Sequence, residues 1–441
     1  MVCKGGVALI ITSSTKKIYP PSLETIRPEF YYEDPYLITV DGPQKICVHL
    51  STDEVNSGEL DYYVQFTGKG KEFNLICHNC EENGDILLRR IENLELFSFP
   101  FNDALNVIGR PEISIREPDL VLHSRQTAIS SNGILHAVAS SIHNHFYLLY
   151  SHDKELVLKT IELKSGSVIG QISIDPHLID MTLDIEFKMS KDESLVAIVN
   201  ILGRHGAVFD LRTGDKIQDL DRNDYHISHY KFAYEFLEVN GRQLLIHATD
   251  WNRLDITDLR TGEVLSARER EDLDYFQASI LVSPDQKKMV VDGWVWHPIG
   301  AMKILDLDET MEDPSYFEDD DKHPIVKVTD YFWDAPVVWI NPSTILFYGF
   351  GPDDDGIIDA ALIYDVIEEK YVSWFPVQNG KFFFDGSLVV LAENGISVWD
   401  VDTGERHLLV TDLHPVSYHV NSNILLTSEN GVIWLHEIRD S

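Results

Sequence analysis

Cysteine is scarce: four in 441 residues, at positions 3, 47, 77 and 80, all in the first fifth of the chain. That is too few to staple a secreted scaffold, so reduced thiols and a cytoplasmic location are expected. Basic side chains are also short, 36 Lys and Arg against 72 Asp and Glu, for a formal charge of −36. A field of that sign repels phosphate backbones and anionic headgroups, which argues against nucleic acid and membrane surfaces as partners. No apolar run approaches the ~20 residues needed to cross a bilayer. The run from Val7 to Ile11 is shorter than the apolar segment of most signal peptides and reads as a buried strand.

Catalytic signatures are missing as well. There is no Gly-x-Ser-x-Gly elbow and no Gly-x-x-x-x-Gly-Lys-Ser/Thr loop, and "GFGPDDDG" would repel a phosphate with its own carboxylates. Cys77-x-x-Cys80 has no second Cys or His pair at finger spacing, and "PDDDG" lacks the glutamate that closes a calcium loop. No cofactor and no resident metal are therefore expected, and the function is expected to be non-catalytic. Sustained helical periodicity is absent too, which leaves an all-β chain.

What the sequence does contain is a repeat. "VFDLRTGD" at Asp210 returns forty-eight residues later as "ITDLRTGE" at Asp258, and "TIELKSGS" places Glu162 forty-eight residues before it. Asp306, Asp365, Asp400 and Glu437 continue the series, giving seven copies. Each joins alternating β-branched and aromatic residues to an acidic residue and a few turn formers, the pattern of a strand entering a hairpin. A second set of turns, "SNG" (131), "SKDES" (190), "SPDQK" (283), "NPSTI" (341), "FDGS" (384) and "NSN" (421), precedes them. Units of about four strands repeated in this way suit a propeller, because one such sheet cannot bury both faces alone.

The turns "SVWDVDTGE", with Trp399 and Asp400, and "SPDQ" resemble those of WD-repeat and related propeller blades. The likeness spans about Asp119 to Ser441; no copy opens with Gly-His and only one carries Trp-Asp. "ATDWNRLD" and "DGWVWHP" are similar to segments of a poorly characterised set of bacterial propeller-like proteins, a likeness that implies no defined activity. The expected architecture is a seven-bladed β-propeller over residues 116–441, closed by a strand near 118–124. Residues 1–115 are expected to form an additional small β-rich domain or extension, with an eighth, degenerate blade as the competing reading.

Blade topology sorts the loops. Turns between first and second strands and between third and fourth strands emerge on one face, and these are plain turn formers. The other face collects "IHNH" (142–145), "GRHG", "TDWNR", "GWVWHP", "GPDDDG" and the connections between blades. It thus gathers Arg204, His205, His226, His229, Trp251, Arg253, Trp296, His297, Tyr331, Trp333 and Asp334. Aromatic rings and arginine supply rigid, desolvatable contact area, so this face is expected to bind a protein or peptide partner. The alternative is an enzyme or a sugar or other small-ligand binder at the same face, using carboxylates or a metal held by "HNH" (143–145), "HISH" (226–229) and Asp334.

Overall fold

The structure, a computed structural model, describes residues 120–440 except 153–154, 270–272, 297, 320–321, 351–356 and 394, together with five short strands nearer the N-terminus. Seven antiparallel sheets follow one another along the chain: blade one spans 134–174, two 185–221, three 234–258, four 276–330, five 337–376 and six 381–411. Blade seven combines three strands of 415–440 with Leu120–Ser130, which pairs antiparallel to Val432–Asp440 from Leu120↔Asp440 to Ser130↔Val432. The chain is a seven-bladed β-propeller.

Alternation along each strand explains the ring. In blade one, Phe146, Leu148 and Tyr150 pack with Leu426, Ile433 and Leu435 of blade seven. The residues between them, Tyr147 and Leu149, pack with Phe187, Val196 and Ile198 of blade two. Both faces of the sheet are apolar, so each blade needs two neighbours. Further apolar clusters join blades two to four, four to six, and six to seven.

The recurrent acidic residue has a local job. Asp210 Oδ1 accepts hydrogen bonds from the Arg212 and Thr213 amides, and Gly214 at φ +80° closes the turn onto the Asp210 carbonyl. Asp258 with Gly262 and Asp400 with Gly404 repeat this geometry. A carboxylate four residues ahead of a left-handed glycine satisfies amides that the turn would leave open. In blade four, Asp306 instead caps a short helix, Leu307–Glu312. The acidic run "FEDDDKHP" (317–324), whose composition reads as a solvated insertion, follows that helix with Phe317, Glu318 and His323 buried. The reason is Arg268, which pairs with Glu318 at 2.8 Å and lies over the Phe317 ring.

Two expectations about turns are corrected. "SNG" does not join the first and second strands of a blade; it leads from the outer strand of blade seven, Leu120–Ser130, into the first strand of blade one, Ile134–Ala139. "IHNH" in turn lies between the first two strands of blade one and so on the plain-turn face, where Asn421 Nδ2 donates to the Ser141 carbonyl and His419 meets the His143 carbonyl. The sequence reading was one strand out of phase here because the ring starts on a fourth strand. The helix Leu307–Glu312 is six residues long, and no described helix is long and apolar enough to cross a membrane.

The strands Leu9–Thr12, Tyr36–Val40, Ile46–Leu50, Tyr62–Phe66 and Glu72–Cys77 form a three-stranded sheet and a hairpin. The β-like runs "YLITV" (36–40), "KICVHL" (45–50), "DYYVQF" (61–66) and "FNLICH" (73–78) of the sequence fall on the last four of these strands. The run "LELFSF" lies outside the described residues.

Turns of the "SKDES" kind also latch neighbouring blades together. Glu193, at φ +55°, accepts hydrogen bonds from Ser140 Oγ (2.7 Å), the Ser141 amide (2.7 Å) and Tyr147 Oη (2.9 Å) of blade one. The equivalent residue of "SPDQK", Gln286 at φ +62°, accepts from the Glu238 amide of blade three at 2.6 Å. Glu193→Ala leaves buried hydroxyls without an acceptor and is expected to cost about 2–3 kcal/mol, with Glu193→Gln costing less. A urea midpoint for the alanine variant equal to that of the wild type would mean the latch contributes nothing.

Candidate interaction face

On the face opposite the plain turns, a group of rings gathers over blades three to five. The first strand of blade four starts at Phe276 and its second strand brings Trp294 alongside; the two rings stack at 3.8 Å, 2° from parallel. Both are buried. Gly293 makes this possible, since a Cβ there would lie 2.1 Å from the Phe276 carbonyl oxygen. Trp333, from the connection into blade five, packs on Trp294 at 5.3 Å, and its Nε1 donates to the His229 carbonyl at 3.0 Å. Trp251, between the second and third strands of blade three, meets Phe276 at 4.5 Å. Trp296 stands nearly perpendicular to both stacked rings at 5.3 and 5.5 Å, beside the stack rather than on top of it.

The loop 223–230 contributes the remaining rings. Tyr225 lies 5.4 Å from Trp251 and 6.0 Å from Phe276, while His226 lies 5.2 Å from Trp296 and 5.6 Å from His229. Arg222 holds this loop. It is fully buried, and its guanidinium donates to the carbonyls of Gly203, Lys231, Ile227 and Tyr230 at 2.6–3.1 Å. It sits 4.4 Å from the Tyr230 ring centre, and burial lowers its pKa to about 10.

Trp251, Trp296, Trp333, His226 and His229 are therefore brought together. Tyr331, beside this group in sequence, is exposed with φ +56°. Arg204 and His205 stand apart on blade two, where Arg204 makes a two-point pair with Asp221 at 2.7 and 2.8 Å. His297 lies outside the described residues, as does "GPDDDG". Tyr225, Tyr230, Phe276 and Arg222 were not singled out by sequence reasoning, although Tyr225 and Tyr230 share the loop of His226 and His229.

Arg253 departs from its neighbour Trp251. Strand periodicity puts it on the side of Asp255, and Asp255 accepts from Arg253 Nε (2.8 Å), Arg268 Nη1 (3.1 Å), Ser266 Oγ (2.9 Å) and Thr249 Oγ1 (2.5 Å). Burial pushes the Asp255 carboxyl up, but these hydrogen bonds outweigh it and hold the pKa below the ordinary value. The network stands where blade three would have a fourth strand: Arg268 Nη2 reaches the Leu254 carbonyl, Ser266 Oγ meets the Ile256 amide, and among the described residues strand-like pairing there is limited to the bridge Thr257↔Val264. Asp255→Ala removes the carboxylate partner of half-buried Arg253 and one of the two carboxylates that hold Arg268, and is expected to destabilise by about 3 kcal/mol; an unchanged thermal midpoint would contradict this reading.

Beneath Trp333 lies a second buried charge group. Asp292 and Lys327 flank Met302 across three strands of blade four, on the same side of the sheet. Asp292 Oδ2 accepts from the Ala335 amide at 2.7 Å, and Ser279 Oγ donates to Asp334 Oδ1 at 2.9 Å, so the connection 331–336 is tied down by carboxylates at both points. Lys327 Nζ sits 3.9 Å over the Phe332 ring, and Lys231 Nζ reaches the Asp334 carbonyl. Burial raises Asp292 to about 7, opposed by Lys327 and reinforced by Asp334; burial likewise raises Asp334 and lowers Lys327 to about 8.

No protein-family model matches the chain, and no curated protein does. Among solved structures it is similar to the Cps50 (Swd1) β-propeller domain of Myceliophteria thermophila, at 10% identity over 72% of this chain and 99% of that one, with a TM-score of 0.49. It is also similar to U3-55K (9%, 71% and 98%, TM-score 0.48) and to hydrazine synthase of Kuenenia stuttgartiensis (12%, 71% and 98%, TM-score 0.49). At such scores and identities the likeness carries no argument about what this chain binds.

The metal set of the alternative reading is divided by the fold, since "HNH" belongs to the plain-turn face and "HISH" to the aromatic one. Among the described residues no three His, Cys, Asp or Glu side chains are placed to hold one ion. The buried acid generates a pH prediction. A carboxyl whose folded pKa lies above its unfolded value contributes its stability at low pH and loses it as pH rises through the folded value. Asp292 therefore contributes most below its ordinary 3.8 and progressively less up to about 7, at up to ~1.4 kcal/mol per pH unit. Relative to wild type, Asp292→Asn is expected to gain stability between those two values; parallel urea-stability curves would refute this.

Proposed function

We propose that the chain is a non-catalytic, WD-repeat-like interaction module that takes a protein or peptide partner on its aromatic face. The observation that carries this reading is the exposure of rings above a rigid base: Trp296 is 40% exposed and Tyr225 42%, both against the buried Phe276–Trp294 stack. Large rings fixed by packing lose little freedom on binding and offer both apolar area and a polar edge. Tyr331, 56% exposed, extends the surface toward blade five.

The same proposal makes the protein a soluble cytoplasmic scaffold whose propeller comprises 116–441, with 1–115 as a separate β-rich unit, and it keeps nucleic acid and membrane surfaces out of the partner set. The likeness of "ATDWNRLD" and "DGWVWHP" to bacterial propeller-like proteins belongs to this reading. Within the face, Tyr225 and Trp296 are the residues to change, because Trp251 packs on Phe276 and Arg253 is committed to Asp255. In the Tyr225→Ala/Trp296→Ala variant, partners captured from native lysate and counted by mass spectrometry are expected to fall roughly tenfold or more. The thermal midpoint is expected to move by no more than about 2–4 °C. Undiminished capture by a folded double variant would sink the proposal.

A further inference from the structure

The arginines of this face are already committed, which bears on what it can bind. Arg204 is paired with Asp221, Arg222 is enclosed by four carbonyls, Arg253 is held by Asp255, and Arg268 is held by Asp255 and Glu318. None offers a free guanidinium to an acidic partner. In the loop 223–230 the exposed side chains are Asn223, Asp224, Tyr225, His226, Ser228 and His229, with no Lys or Arg among them. Asp224, which precedes Tyr225, is exposed, as is Asp221, whereas Asp250 is buried and its carboxylate accepts from the Trp251 amide at 2.8 Å. The chain as a whole carries −36.

Ring faces attract cations through their quadrupoles, with tryptophan the best of them, and a strongly negative field steers cationic segments toward such a surface. We infer that the occupant of the aromatic face is a basic peptide segment, with a Lys or Arg side chain seated on Trp296 and Tyr225. This rests on the interaction-module reading above and adds the chemistry of the partner to it. The arginines fit the same logic: paired with Asp221, Asp255 and Glu318 or enclosed by carbonyls, these four have their charge offset and do little to oppose an incoming cation.

The test uses the full chain and a defined probe, an N-acetylated peptide of alternating glycine and arginine, with a citrulline analogue of equal size and no charge. Tryptophan fluorescence titration is expected to show the arginine peptide binding roughly tenfold more tightly than the citrulline analogue. Binding should weaken as salt rises from about 0.05 to about 0.5 M. Tyr225→Ala/Trp296→Ala should lose roughly tenfold in affinity, while Tyr225→Phe/Trp296→Phe, which keeps both ring faces, should retain most of it. Equal binding of the arginine peptide by the folded alanine variant would overturn the inference, because the cation would then be held by general surface charge. So would equal binding of the citrulline analogue, or no binding at all. If the alanine variant loses its lysate partners while the arginine peptide neither binds nor displaces them, the interaction face stands and the basic occupant falls. If lysate capture is also unaffected, both fall.

Discussion

A β-sheet that is apolar on both faces cannot stop at one layer, and that constraint governs this molecule. Phe146 and Leu148 need blade seven while Tyr147 and Leu149 need blade two, although the four residues are consecutive on one strand. Radial repetition satisfies every blade at once, and the ring is complete only when Leu120–Ser130 lies along Val432–Asp440. Burying a Leu or Phe side chain is worth about 1.5–3 kcal/mol, so seams built from several such residues on each side hold the loops above them in fixed positions. The aromatic face is rigid because of the seams beneath it.

The fold was legible because the repeat is written in turn chemistry. An acidic residue, two or three polar residues and a glycine recur because the carboxylate caps backbone amides and the glycine takes a positive φ, and neither job depends on distant contacts. Asp306 shows the limit of that signal: the same carboxylate can start a helix, as Asp306 does over Leu307–Glu312. Blade one was mis-phased for a related reason. "SNG" reads as a hairpin turn whichever strands it joins, and only the pairing of Leu120–Ser130 with Val432–Asp440 shows that it leaves a fourth strand.

The face was legible at the level of loops and less so at the level of side chains. Topology alone gathers Trp251, Trp296, Trp333, His226 and His229, because loops of one class emerge on one side. It does not say where each side chain then turns. Trp251 and Arg253 are two residues apart, yet one joins the rings and the other belongs, with Arg268 and Ser266, to the network along the edge of the three described strands of blade three. Phe276, the centre of the ring group, carried no separate signal because a strand-opening phenylalanine is ordinary core.

Charge explains why arginines on this face turn inward. A chain with twice as many acids as bases has few cations to distribute, and a cation gains most where carboxylates or carbonyls are already desolvated. Arg222 binds a loop, Arg268 binds an insertion and a strand edge, and Lys327 faces Asp292 beneath Trp333. With Arg222, Arg268 and Lys327 drawn into structural work, the exposed groups around the ring stack are Trp296, Tyr225 and Asp224 rather than these cations. The same economy that stabilises the irregular parts of the propeller therefore sets the electrostatic character of the face they support.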